Sequence, residues 1–255
     1  MDSEQIEVLV ANRAVYAAAR DVLPGESVLL EHLKGRWHEL KLLDLGVGAG
    51  RTAWTFGRIC QDYWGVDLIP EFIESARQSL GETSSRRFVV GDAKNLARFP
   101  DAEFDLVMFS HNGMDHSPWE LRSGFFREYR RLLKADGLLF FSFHNLGVFP
   151  VIPAKPAMPR NWVRRVLAER RYATQRKFYQ RVSRMAIAPD VVARGWAWLP
   201  DSHAPALTYV MPDVQRSQLL EQGFTVEWMV DDRGKPLSAL DGVWTVSCLA
   251  RRTEG

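Results

Sequence analysis

Residues Leu42 to Arg51 read LLDLGVGAGR, and the fold follows from how that stretch is read. Leu42-Leu43-Asp44-Leu45 is an apolar run carrying one acid, the pattern of a short buried strand. The turn after it alternates Gly46, Gly48 and Gly50 with small residues. Glycine accepts positive φ and lets a ligand approach the main chain closely. The apolar spacing from Thr52 onward predicts a helix over about 51–59, whose free N–H groups point back at the turn. A strand, a glycine turn and a helix start together predict a docking place for a phosphate-like or nucleoside-like ligand.

On the C-terminal side the alternation continues. Tyr63-Trp64-Gly65-Val66 reads as a second strand ending in Asp67, followed by a helix after Pro70 through Ile73, Ala76 and Leu80. Phe88-Val89-Val90 is a third, ending at Gly91-Asp92. Phe104 to Phe109 is a fourth, ending at Ser110-His111-Asn112-Gly113. A helix over 119–133 leads to a fifth strand, 138–143, ending at His144-Asn145. Short apolar strands between amphipathic helices predict an α/β fold, a doubly wound, mainly parallel sheet covered on both faces. Ligands of such sheets bind at the carboxyl ends of the strands, so Asp67, Asp92, Ser110-His111 and His144-Asn145 are expected to share one mouth with the glycine turn.

The flanks differ. Residues 1–40 read as an N-terminal helical cap, with helical spacing over 4–33 broken at Pro24-Gly25 and with Asn12 or Tyr16 as residues that could close over a ligand. Residues 148–207 read as an insertion after the fifth strand, a helical lid: six prolines and then Pro205 surround a basic helical stretch. Its apolar spacing runs through Val163, Val166 and Leu167, then Phe178, Val182 and Met185. Residues 160–184 hold nine Lys or Arg against the single acid Glu169, a local charge of +8 in a chain of net +2, so the rest is −6. An anionic partner should meet that segment. Three readings stand for it: a solvated helix covering the mouth, a clamp in which Arg164, Arg165, Arg171 or Arg176 holds a substrate phosphate or carboxylate, or a basic amphipathic helix that meets a membrane surface or nucleic acid. After Pro212 a helix to 222 precedes two strands, 224–230 and 243–250, that close one side of the sheet as a hairpin with a long loop.

A hydrophobic share of 46% with 25% charged residues is that of a folded globular chain, and one domain spanning 1–255 is expected. Cys60 and Cys248 lack neighbours at metal-ligand spacing and read as buried thiols in a reducing compartment. MDSEQIEVLV does not resemble a secretory signal, and the most apolar run, Leu138 to Phe143, is too short to span a bilayer. A cytoplasmic location is the expectation, with homo-oligomerisation left open.

The segment LDLGVGAG resembles the first motif of class I S-adenosylmethionine-dependent methyltransferases, which place an acid two residues before the first glycine. A dinucleotide turn would want its third glycine one residue later, where Arg51 stands. The resemblance extends through VVGDA, FDLVMFS, RRLLKADGLLFFS and YVMPDVQRSQLLEQGFTVEWM, covering roughly 41–147 and 208–251. SHNGMDH and SFHNL are similar to a bacterial group, some of whose members are thought to act in surface polysaccharide or glycan synthesis. The resemblance implies a seven-stranded, Rossmann-like sheet and S-adenosyl-L-methionine as cofactor. Carried over residue by residue, it implies that Gly46, Gly48 and Gly50 shape the methionine site and that Asp44 receives the donor ammonium. Asp67 with Leu68 would hold the ribose, Asp92 and Ala93 the adenine, and Ser110 the donor's edge of the mouth.

Methyl transfer from a sulfonium needs an aligned nucleophile and, for a hydroxyl, a base. His144 and His111 are the first candidates for that base and Asp115 the next, with His116 nearby and Asn112 and Asn145 orienting. No Asn/Asp-Pro-Pro-aromatic tetrapeptide follows the fourth strand, and no cysteine lies near the fourth or fifth strand end, which argues against nucleic-acid base methylation. The acids expected of a catechol-type metal site are replaced by Ser110-His111 and His144-Asn145, so no metal is expected. O-methylation of a small or medium acceptor, a sugar, glycan precursor or other metabolite, anionic or not, is the functional expectation. The alternatives are a dinucleotide-dependent oxidoreductase and a non-catalytic methyltransferase-like binding module.

Overall fold

In the computed structural model β1 (Lys41–Leu45) lies inside the sheet, flanked in parallel by β2 (Asp62–Asp67) and β4 (Phe104–Phe109). The structure describes Val10 and residues 19–151, 154–201, 206–238 and 242–253. β3 (Arg86–Val90) extends the sheet beyond β2, and β5 (Leu133–Asn145) extends it beyond β4, again parallel. On the far side of β5, β9 (Thr245–Arg252) runs antiparallel, and β8 (Phe224–Val230) pairs antiparallel with β9. The expected C-terminal hairpin and mainly parallel α/β sheet are therefore present.

Side-chain alternation along the central strands explains why both faces are covered. Leu42, Leu106, Met108, Leu138 and Phe140 enter one apolar cluster with Leu29 and Phe56, while Leu43, Val107, Leu139 and Phe141 enter another with Phe126 and Phe224. α1 (Pro24–His32) and α2 (Pro70–Leu80) give Leu29 and Ile73 to the first layer; α3 (Trp119–Leu132) gives Phe126 to the second, together with Leu219 of α6 (Pro212–Glu221). The first helix of the expected cap lies outside the described residues, Val10 apart, and so do Asn12 and Tyr16.

Two expectations are corrected. The stretch after the glycine turn is not one helix but two short 3-10 turns, Thr52–Trp54 and Phe56–Arg58. Gly57 would sit in the middle of such a helix, where glycine costs about 1 kcal/mol relative to alanine, and the Thr52 hydroxyl is drawn to Asp44. The insertion also carries strands as well as helices. Beyond the long α4 (Trp162–Ala186) and short α5 (Pro189–Arg194), β6 (Trp196–Leu199) and β7 (Leu207–Val210) form an antiparallel pair. β7 pairs with the tip of β5 at His144 and Asn145, so among the described residues the insertion adds two strands to the seven expected. β5 runs past the end of β4, and its exposed main-chain groups there need partners.

The insertion builds a small core of its own. Val182 and Ala186 from the end of α4 pack with Val191, Leu199, Leu207 and Tyr209. The expected apolar face of α4 holds only over this last third. Trp162, Val166 and Leu167 are exposed, as are Arg164, Arg165, Arg171 and Arg176.

Candidate active site

The carboxyl ends of β1 to β5 open into one cavity of about 630 Å³, within the range that buries a small-molecule ligand. Asp44, Gly46, Gly48, Asp67, Leu68, Asp92, Ala93, Ser110, His111 and His144 all line it, as does His116. The rule that ligands sit at strand ends thus brings together most of the residues expected from the motifs.

Asp44 is almost fully buried, and the Thr52 and Tyr63 hydroxyls both donate to its Oδ2. Burial, opposed by those hydroxyls, raises its carboxyl to about 7. Asp67, also buried, accepts the Gly48 N–H at 2.8 Å and the Ile69 N–H at 2.9 Å, which ties the end of β2 to the glycine turn. Burial raises the Asp67 carboxyl, against these amides. Asp92 caps its own loop by accepting the Lys94 N–H at 2.9 Å.

The glycines divide into different roles. Gly48 has φ of +56°, and a Cβ built there meets nothing within 4 Å among the described residues, where it lines the cavity. Gly50, at φ +96°, instead backs onto α2, where a Cβ would come within 3.3 Å of Ala76 and 3.2 Å of Leu80. Its place is in packing, outside the cavity lining.

Glu26 carries no motif signal, yet it organises the donor side. Its buried carboxylate accepts the Leu23 N–H at 2.8 Å, both terminal nitrogens of Arg51 at 2.6 and 2.8 Å, and the Ser110 hydroxyl. A buried charge satisfied in this way joins α1, the turn after β1 and the end of β4. The only sequence hint was Arg51 in the place of a third glycine.

Across the cavity, residues after β4 and β5 form a relay. Asp115 is fully buried, and its Oδ1 accepts Arg122 Nη1 at 2.5 Å. Its Oδ2 accepts the His144 N–H at 2.6 Å and lies 2.9 Å from His144 Nδ1. With Nδ1–H directed at the carboxylate, Nε2 carries the lone pair, 3.2 Å from Asn112 Nδ2. Arg122 is itself anchored on Gln215 at 2.7 Å. Asp115 is therefore behind the cavity wall, ion-paired and turned toward His144, which corrects the expectation that it could take a substrate proton directly. Asn145 is likewise structural: it donates to the Val243 carbonyl and accepts the Gly147 N–H.

His111 and Asn112 are consecutive left-handed residues, with φ of +57° and +58°. Such strain on a non-glycine pair persists only where surrounding contacts hold it, and here the Asn112 N–H is held by the Ser142 hydroxyl at 2.8 Å. Burial lowers the His111 imidazole below its ordinary value, helped by the Arg51 charge, and burial likewise lowers His116. Among the described residues, no group of His, Cys, Asp and Glu could hold a metal ion, and no helix is long and apolar enough to cross a membrane.

Residues 43–141 match the family model described as "Methyltransferase domain". Over 116 residues the chain is 34% identical to an uncharacterized methyltransferase, YcgJ, of Bacillus subtilis, an alignment covering 45% of this chain and 44% of that protein. Over 119 residues it is 32% identical to a malonyl-[acyl-carrier protein] O-methyltransferase of Geobacter sulfurreducens, covering 45% and 42%. The chain thus spans less than half the length of the curated relatives it matches. Among solved structures, the fold is similar to that of the 1,6-didemethyltoxoflavin-N1-methyltransferase of Burkholderia thailandensis, with bound 1,6-didemethyltoxoflavin and S-adenosylhomocysteine. That likeness has a TM-score of 0.62 at 17% identity, over 99% of this chain and 87% of that one. The buried acid at the glycine turn, the open space at Gly48 and the acids ending β2 and β3 fit a sulfonium nucleoside donor. Over residues 43–141 this chain is thus similar to methyltransferase domains, and its fold is that of solved S-adenosylmethionine-dependent methyltransferases.

Proposed function

We propose that this protein transfers the methyl group of S-adenosylmethionine to a hydroxyl of a small-molecule acceptor, with His144 as general base. The observation that carries this reading is the Arg122–Asp115–His144 relay, which orients an imidazole that lines the cavity; its Nε2 accepts from Asn112 Nδ2 at 3.2 Å, a bond the acceptor hydroxyl would replace. Asp115 sets the tautomer and direction of the ring, and Arg122, 2.5 Å from its other oxygen, holds that carboxylate in place. In this reading the acceptor oxygen bonds to the methyl carbon, and the methyl–sulfur bond breaks with its electron pair retained on sulfur. The hydroxyl proton passes to His144 Nε2.

Asp44 would receive the donor's ammonium, Asp67 with Leu68 its ribose and Asp92 with Ala93 its adenine edge. Gly46 and Gly48 would leave room for the methionine tail, and Ser110, tied to Glu26, would hold the end of β4 against it. His111, strained and open to the cavity, would line the space between donor and acceptor. The insertion would act as a lid on the mouth through Tyr179, Leu207 and Tyr209, all of which line the cavity. O-methylation by a relative, the malonyl-[acyl-carrier protein] O-methyltransferase, supports oxygen as the nucleophile. The test is His144→Gln, measured by S-adenosylhomocysteine calorimetry and by methyl transfer. Retained donor affinity with turnover reduced about 10²–10⁴-fold is expected of a lost general base. Turnover within a few fold of the parent would remove His144 from that role.

A further inference from the structure

The cavity wall on the acceptor side is built by residues that no motif marks. Tyr179 comes from α4, Leu207 and Tyr209 from β7, and Trp244 stands just before β9. Tyr179 and Trp244 meet edge to face at 6.3 Å between ring centroids. Phe149 braces this pair, 6.3 Å from Trp244 and 5.3 Å from Tyr209. The Tyr209 ring lies 5.1 Å from that of His144, and its hydroxyl is committed to Asp201 at 3.2 Å. The imidazole assigned as base therefore adjoins this aromatic cluster through Tyr209.

Charge at this end points the same way. Among the described residues, the cations lining the cavity are Arg51, which is locked on Glu26, and Lys94, beside Asp92 at the end of β3. The arginines of α4 are exposed and none lines the cavity, and Arg165 pairs with Glu169 at 3.2 Å. Among the described residues, the guanidinium that lines the cavity is already paired, and the remaining cation, Lys94, stands beside Asp92 rather than beside Tyr179 and Trp244. Imidazole also removes a proton far more readily from a hydroxyl of phenolic acidity, about 10, than from an alkanol.

Resting on the methyl-transfer reading above, we propose that the acceptor is an uncharged, planar aromatic or heteroaromatic molecule carrying a phenolic or enolic hydroxyl, seated against Tyr179, Tyr209 and Trp244. The ring faces supply stacking and edge contacts, and His144 takes the hydroxyl proton.

The experiment uses the full chain saturated with S-adenosylhomocysteine and three probes: 2-naphthol, 4-hydroxybenzoate as its anionic counterpart, and methyl glucoside. Calorimetry should show 2-naphthol binding at least about tenfold tighter than either of the others. Trp244→Ala and Tyr179→Ala should each weaken it about tenfold, Trp244→Phe should restore most of the affinity, and S-adenosylhomocysteine affinity should stay within about twofold throughout. With S-adenosylmethionine, 2-naphthol should yield its methyl ether and methyl glucoside should yield nothing. Preference for methyl glucoside or 4-hydroxybenzoate, or 2-naphthol affinity unchanged in both alanine variants, would overturn the aromatic assignment while leaving the donor site standing. Failure of the parent protein to bind S-adenosylhomocysteine would instead remove the methyl-transfer reading.

Discussion

Asp44→Asn is a demanding test of the proposed ammonium site, because the carboxylate's effects on stability and on donor affinity would run in opposite directions with pH. In the free protein its carboxyl stands at about 7 rather than 3.8, with burial as the main cause. At about 1.4 kcal/mol per tenfold change in the ionisation constant, holding it ionised costs the fold up to about 4 kcal/mol. The unfolded chain releases this proton near pH 4, the folded one near pH 7. Between those values the folded state binds more protons, so this group's contribution to stability declines as pH rises and is level above about 7. Asp44→Asn removes the slope, and its stability relative to the parent should grow from pH 4 to pH 8 in urea unfolding.

Donor binding should move the other way. An ammonium requires the carboxylate, so S-adenosylhomocysteine affinity in the parent should weaken toward tenfold per pH unit below about 7. In Asp44→Asn at pH 8 the loss of a charge-assisted bond, about 1.5–3 kcal/mol, should lower affinity about 10- to 150-fold. Calorimetry from pH 5.5 to 8 on both proteins measures this. A variant that is less stable at pH 8 and binds S-adenosylhomocysteine as the parent does would show Asp44 to be a structural acid, and the argument would fail.

Two further outcomes follow from charges whose surroundings are clear. Arg122→Met strands the fully buried Asp115, so urea unfolding should show a loss of about 3–5 kcal/mol, partly recovered by adding Asp115→Asn; additive losses would mean that the pair is not coupled. Arg164→Ala with Arg165→Ala should leave acceptor KM unchanged, because both side chains are exposed and neither lines the cavity; a severalfold rise in KM would restore the anion clamp.

The parts of this protein that the sequence alone determined are those written in local pattern. Strand and helix period, and the positions of glycines and acids at strand ends, located the mouth and placed Asp44, Asp67, Asp92, His111 and His144 on it before any coordinates. A strand end is fixed by its own neighbours and the carboxyl edge of a parallel sheet is shared, so residues far apart in the chain could be assigned to one site. The insertion was legible only as an interruption. Its exposed arginines carried the strongest compositional signal, whereas Tyr179 and Tyr209, which meet the cavity, carried none.

What tertiary structure alone decided are the pairings at long range. Glu26 reaches Arg51 and Ser110, Tyr63 reaches back to Asp44 from the neighbouring strand, and Arg122 sets Asp115 on His144 from one turn along α3. Which side chains meet across elements depends on strand register and helix rotation, and periodicity specifies a face without naming the partner on it. For that reason Asp115 reads in the sequence as one more candidate base, and in the fold as the buried carboxylate that directs His144.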